Sequence, residues 1–237
     1  MGHQPAGCRK HLLFHAAAGG QPARSPTMTG AGHAVYPPAA APSLHDLLRA
    51  GTTPEHRDLE CALNLLRAGF RLEDYRRLLV HYHGFYLPFE RFLQDSAGRQ
   101  STVARFYCGG RRKLSWLEQD LRALGVAVAP YAAYMAEQRF PALFPSEEHI
   151  LGAIYVIEGS MLGGAVLSKH FRKHLQIEAE TGLRFFSGYG PESREKWLET
   201  LQFLESRDPG GPLRIHALDG ARRMFVLLRQ HLVDAPA

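Results

Sequence analysis

Residues His149 to Phe171 read HILGAIYVIEGSMLGGAVLSKHF, and this stretch narrows the choice of fold most sharply. Ile150, Ile154, Ile157, Met161 and Ala165 recur at helical spacing on one face, with Leu151 and Leu162 beside them. Yet Gly159, Gly163 and Gly164 sit in the middle of the run. Each glycine costs a helix about 1 kcal/mol against alanine. Gly159 and Gly163 are four apart and share a face. A face without Cβ atoms admits either another helix at very short range or a flat ligand lying across the backbone. Helix on helix is the commoner arrangement. Glu158, Lys169 and His170 break the apolar run, so no stretch reads as a membrane span and no membrane partner is expected.

The remaining chain is read as all-α. Alternating Val/Ile/Thr runs are few and no Asn-Gly hairpin signal occurs. The 237 residues, 45% hydrophobic, suffice for one large domain with a tail. Cys8, Cys61 and Cys108 are odd in number and lack CxxC spacing, which argues against a disulfide framework and a structural zinc site and fits a reducing cytoplasm. A net charge of +5 suits an anionic ligand, an acidic protein partner or nucleic acid. Basic residues are scattered among acids, which argues against nucleic acid. No Rossmann fingerprint, P-loop or G-x-S-x-G elbow is present.

Residues 1–43 are rich in Ala, Gly and Pro and hold no acidic residue, so a disordered tail is expected there, with Met28 as a second candidate start and a helical domain over 44–237. Ser43 is a fitting N-cap for the first helix. Pro54 either opens a fresh helix capped by Thr53 or kinks a continuous one, and Gly69 ends that segment. Leu72 to Phe92 carries an aromatic stripe with a kink expected at Pro88, and Gln94 to Gly110 reads as a loop with a short helix. Further helices are expected over 113–124, over 131–140 up to a stop at Pro141, from Ser146 through the glycine-broken stretch, over 192–204 and over 215–232.

In EHRDLE, Glu60 lies one helical turn after His56, close enough to reach the imidazole or its surroundings. With thirteen histidines in the chain, His56 alone says little. Paired with the glycine-broken helix it says more. A planar iron porphyrin would take His56 as metal ligand on one side, with Glu60 fixing the ring from behind. The bare backbone of Gly159 and Gly163 would lie over the other side. Its carboxylates would seek a base at the pocket edge, and Arg49, two turns before His56, is placed for that.

On LLRAGTTPEHRDLE, RRKLSWLEQDL, LGAIYVIEGSMLGGAVL and RFFSGYG…W, over about residues 44 to 232, the chain resembles the heme oxygenases, in particular the bacterial branch associated with bacteriophytochromes. The resemblance implies a multi-helical bundle holding heme between a proximal helix and a glycine-kinked distal helix. It implies His56 as proximal iron ligand, Glu60 as its hydrogen-bonding neighbour, Gly159 and Gly163 as distal-helix glycines with Gly164 in the same motif, and Arg49, Lys169 and Arg184 as propionate contacts. Ser160 stands where the animal enzymes carry an aspartate. The implied reaction opens heme to biliverdin, CO and free iron, with heme as both substrate and cofactor, O2, and an external electron donor: a ferredoxin, a reductase or ascorbate. A bacteriophytochrome accepting biliverdin follows from the same association. Three other readings stand beside it: a heme-binding or sensory module without turnover, a TenA-type thiamin-degrading enzyme of similar architecture, and a structural helical protein.

Overall fold

The structure is a computed structural model describing residues 27–28, 34–35, 42–127 and 139–234. It is all-α apart from one short antiparallel pairing of β1 (Thr27–Met28) with β2 (Ala34–Val35). That pairing falls within the expected tail; the rest of residues 1–41 lies outside the described residues.

α1 (Leu44–Gly51) starts where the cap chemistry places it, with the Ser43 hydroxyl accepting from the Asp46 N–H at 3.0 Å. α2 (Thr53–Leu63) is a fresh helix with Pro54 in its first turn. Its boundary residue is Thr52 rather than Thr53, because the Thr52 hydroxyl donates back to the Leu48 carbonyl at 2.8 Å and closes α1. α2 ends before Gly69, since Asn64 takes the left-handed conformation (φ 41°) that asparagine tolerates. α3 runs from Leu72 through Pro88 to Gly98 as one helix. The residue whose carbonyl Pro88 leaves without an N–H partner is Gly84, which carries no side chain. Buried Leu93 keeps α3 against α4 (Thr102–Cys108) beyond Phe92, so most of the expected 94–110 loop is helix. α5 (Leu114–Ala123) stops before Gly125 (φ 68°). Residues 131–138 of the helix expected over 131–140 lie outside the described residues. α6 (Arg139–Leu143) includes Pro141 in its first turn, where a missing N–H costs nothing.

α7 (Glu147–Leu175) is the central helix, about 44 Å long at 1.5 Å per residue. By length and composition it would pass for a membrane span, contrary to the sequence reading, but most of it is buried inside the bundle. α8 (Arg184–Ser187), α9 (Ser193–Ser206) and α10 (Arg214–Leu232) complete the described helices. Ala165 is exposed, so the buried face of α7 passes from Met161 to Leu167 and Phe171 rather than through Ala165.

The closest helix-on-helix approach is α7 on α10, and its glycines differ from those singled out in the sequence. A Cβ on Gly152 would stand 1.8 Å from the Ala217 carbonyl oxygen, and one on Gly220 would stand 2.2 Å from that of His149. Only hydrogen at both positions lets the backbones touch. Gly220→Ala is therefore expected to cost about 1–3 kcal/mol by forcing the helices apart, read as a lower urea midpoint at unchanged slope.

α10 also closes on α3. His231 is buried there, with its carbonyl accepting from the His81 Nδ1 at 3.1 Å, and burial together with nearby His81 pushes its pKa down to about 4. The fold thus holds a neutral imidazole that the unfolded chain protonates near pH 6.5. Its stabilising contribution is complete above pH 6.5 and is lost as pH falls toward 4, by up to about 3 kcal/mol. The stability difference between the native protein and His231→Gln, followed by urea unfolding from pH 7.5 to 4, should shrink by that amount in that window.

Candidate active site

An apolar cleft of about 830 Å³, counting space open to solvent, separates α2 from α7. α2 presents His56, Leu59, Glu60 and Leu63; α7 presents Val156, Ile157, Ser160, Met161, Gly163, Gly164 and Leu167. Tyr82 and Tyr86 of α3, Phe185 and Phe186 of α8, and Phe225, Leu228 and Leu232 of α10 close the ends. The structure thus brings His56, Glu60, Gly163 and Gly164 together around one space, across more than 100 residues of chain.

His56 Nε2 lies 3.4 Å from Glu60 Oε1, and both side chains are mostly buried. The Phe225 ring meets the imidazole edge-on, with centroids 5.6 Å apart. Burial raises the Glu60 carboxyl above its usual range. On the facing wall the Ser160 hydroxyl donates to the Ile157 carbonyl at 2.7 Å. Its proton is thereby engaged within α7, and its lone pairs are what it offers the cleft.

The glycines of α7 divide by task. Gly159 is buried in the helix but is not among the cleft-lining residues. Gly163 lines the cleft. Gly164 does so too, and a Cβ there would come within 2.9 Å of the Phe186 carbonyl oxygen, so its bareness also lets α8 sit on α7. α8 is pinned from the other side by fully buried Asp120, which accepts from the backbone N–H of Arg184 at 2.7 Å and of Phe185 at 2.8 Å. Burial pushes the Asp120 carboxyl up to about 6 despite those two donors. Gly164→Val is expected to displace the Phe186 segment and narrow the cleft, seen as loss of ligand binding with only a small fall in melting temperature.

The basic residues expected at the rim do not line the cleft. Arg49 is exposed and pairs with Asp46 at 3.3 Å. Lys169 is exposed on α7. Arg184 stacks its guanidinium 4.2 Å from the Trp116 ring centroid and donates to the Gly188 carbonyl at 2.5 Å.

A charged network behind α7 was missed by sequence reasoning. Glu158, immediately before Gly159, is buried and accepts from Arg111 Nη1 at 2.7 Å, Lys113 Nζ at 2.6 Å and the Tyr189 hydroxyl at 3.0 Å. Fully buried Lys113 uses its three N–H bonds on Glu158, Tyr189 and the Arg111 carbonyl. Burial pulls its pKa down and Glu158 opposes that shift. Next to it, buried Glu90 accepts from the Lys113 N–H at 2.5 Å and the Tyr107 hydroxyl at 3.0 Å, which caps the start of α5. The signal available was a lone Glu inside an apolar helix together with Arg-Arg-Lys before α5; an unpaired charge is not left in a core.

Comparison with known proteins agrees with this architecture. The family model described as heme oxygenase matches residues 42–234. A heme oxygenase of Xanthomonas campestris pv. campestris (strain 8004) is 31% identical over 153 residues, covering 65% of this chain and 85% of that protein. The fold is shared with the Neisseria meningitidis heme oxygenase (TM-score 0.64, 21% identity, 82% of this chain and 92% of that one). It is shared likewise with heme oxygenase 2 from Chlamydomonas reinhardtii (TM-score 0.69, 16% identity, 83% and 100%) and with the Leptospira interrogans enzyme (TM-score 0.68, 19% identity, 82% and 100%). With a family match across nearly all of its described helices and a curated relative above 30% identity, the chain belongs to the heme oxygenase family of heme-degrading oxidoreductases.

Proposed function

We propose that the cleft binds heme edge-in between α2 and α7, with His56 as the iron ligand, and that the chain cleaves heme to biliverdin, CO and free iron. The observation that carries this is the facing pair: one imidazole backed by a carboxylate on α2, and Ser160 with Gly163 on α7, across walls that are otherwise Leu, Val, Ile, Met and aromatic. Such a donor set fits heme: the His56 imidazole would hold the iron, and the apolar walls would cover a flat macrocycle.

Bound heme supplies the iron at which O2 is reduced and is itself the molecule opened. The chain's own residues do the positioning. His56 binds as a neutral imidazole, which donates less electron density than a thiolate. Glu60, whose Oε1 stands 3.4 Å from His56 Nε2, would set the orientation of the ring from behind. Gly163 keeps the α7 wall low enough for a ligand to lie against backbone, whereas Gly159, one turn earlier, is buried in the helix outside the cleft lining. Leu59, Leu167 and Phe186 exclude bulk water. Arg49 and Lys169, exposed and outside the cleft lining, are the bases the family resemblance offers for the propionates, whereas Arg184 is engaged by Trp116 and Gly188 and suits that role least. Electrons come from a ferredoxin, a reductase or ascorbate, and the positive net charge suits an acidic donor. A bacteriophytochrome as acceptor of biliverdin rests on the family resemblance, and a cytoplasmic location on that and on three cysteines without CxxC spacing.

Hemin titration of the purified chain, followed by ascorbate or a reductase under air, tests the reading. A Soret band saturating at one heme per chain and then decaying as biliverdin absorbance rises is the expected result. A stable Soret band under reductant and O2 would mean a heme-binding module, and no saturable band would remove heme from the cleft altogether.

A further inference from the structure

α7 carries a second set of imidazoles that the cleft does not use. His170 and His174 are one turn apart, and their rings stack with centroids 4.1 Å apart and planes 27° from parallel. They fall seven residues after Gly163 and Leu167, which line the cleft, so the pair continues the cleft-facing side of the helix toward its end. The His174 Nδ1 lies 2.8 Å from the His170 carbonyl oxygen. A carbonyl only accepts, so Nδ1 carries the proton and Nε2 keeps its lone pair outward. That is the arrangement in which histidines ligate metals, with the second nitrogen anchored by the backbone. Burial, His174 and Lys173 all push the His170 pKa below its usual value, which favours the unprotonated ring.

We propose that His170 and His174 form a two-imidazole site for a borderline divalent transition-metal cation on the outer end of α7. Helical H-x-x-x-H spacing places two imidazoles on one face for a single ion. Two nitrogens each about 2.1 Å from one ion stand roughly 3 Å apart, within reach of rings already stacked as these are. Among the described residues no group of three or more His, Cys, Asp or Glu converges, so water completes the coordination. Lys169 and Lys173 flank the pair, while Arg172 is neutralised by Glu178 at 2.6 Å. Those lysines weaken cation binding, which makes this an exchangeable station rather than a store. Resting on the heme reading, the cation that the reaction itself supplies is ferrous iron leaving the cleft.

Ni²⁺ titration of the hemin-free full chain by calorimetry tests the site without heme. His170→Ala and His174→Ala should each weaken the same one of the native protein's Ni²⁺ sites at least tenfold, as loss of a direct ligand requires when outer-shell changes alone cost about 10- to 100-fold. Equal Ni²⁺ affinity in the native protein and both variants would overturn the site. Anaerobic Fe²⁺ should displace Ni²⁺ only in large excess, because ferrous iron binds nitrogen ligands more weakly. Failure to displace it at any excess would overturn the link to released iron while leaving the site. The hemin titration above fails or succeeds independently of both arms.

Discussion

His56→Ala is expected to abolish the sharp Soret band of the hemin-loaded protein and to lower hemin affinity by more than about 100-fold, since even second-shell partners of a metal ligand are worth about 10- to 100-fold. The truncation also leaves a void beside Phe225, whose ring meets the imidazole at 5.6 Å. Added imidazole should fill that void and restore part of the band. A variant that kept the native spectrum would remove His56 from the iron. Glu60→Gln separates ligation from orientation. Burial raises the Glu60 carboxyl, so in the native protein it becomes protonated at a higher pH than an ordinary glutamate and then ceases to be a charged acceptor for the imidazole. Activity should therefore fall as pH drops through that raised range, and the fall should be absent in Glu60→Gln, which is already neutral. A pH profile unchanged by the substitution would assign the titration to another group.

Glu158→Leu should destabilise the fold by about 3–5 kcal/mol, the usual cost of leaving a buried charge without its partner. Lys113 has no solvent exposure and Arg111 is nearly as buried, so neither can turn to water when the carboxylate is gone. For a chain of this size the melting temperature should drop by roughly 10 °C. Lys113→Met combined with Glu158→Leu should recover much of the loss, because an apolar replacement of a buried pair is often neutral. Equal stability of the single and double variants would mean that Lys113 does not depend on Glu158. Since Glu158 precedes Gly159 and Ser160 directly, the same substitution should also loosen the α7 wall of the cleft, seen as faster hemin dissociation in whatever fraction remains folded.

Much of the architecture was legible because it is written in local chemistry. Ser43 caps α1 through a bond to a residue three positions on, and Pro54 opens α2 by its own ring geometry. The 3.6-residue spacing of Ile150, Ile154 and Ile157 marks a buried helix wherever that helix ends up. His56 and Glu60 form a pair because one helical turn separates them. Boundaries were less legible. α3 outlasts Phe92, and α6 absorbs Pro141, because contacts with other helices and the tolerance of a first turn override local stop signals.

By itself, then, the sequence determined the helices, the His56–Glu60 pair and a glycine-bearing wall to oppose it. Only the tertiary structure decided which glycine faces what. Gly163 borders the cleft, Gly164 also takes the Phe186 backbone, and the tightest helix contact belongs to Gly152 and Gly220, which no local pattern distinguished. It also decided that Arg184 stacks on Trp116 and that Arg111, Lys113 and Glu158 find one another behind α7. The reason is physical: capping and periodicity act within a few residues, whereas close approach and charge pairing act across space, between positions 45 or more residues apart that no spacing rule connects.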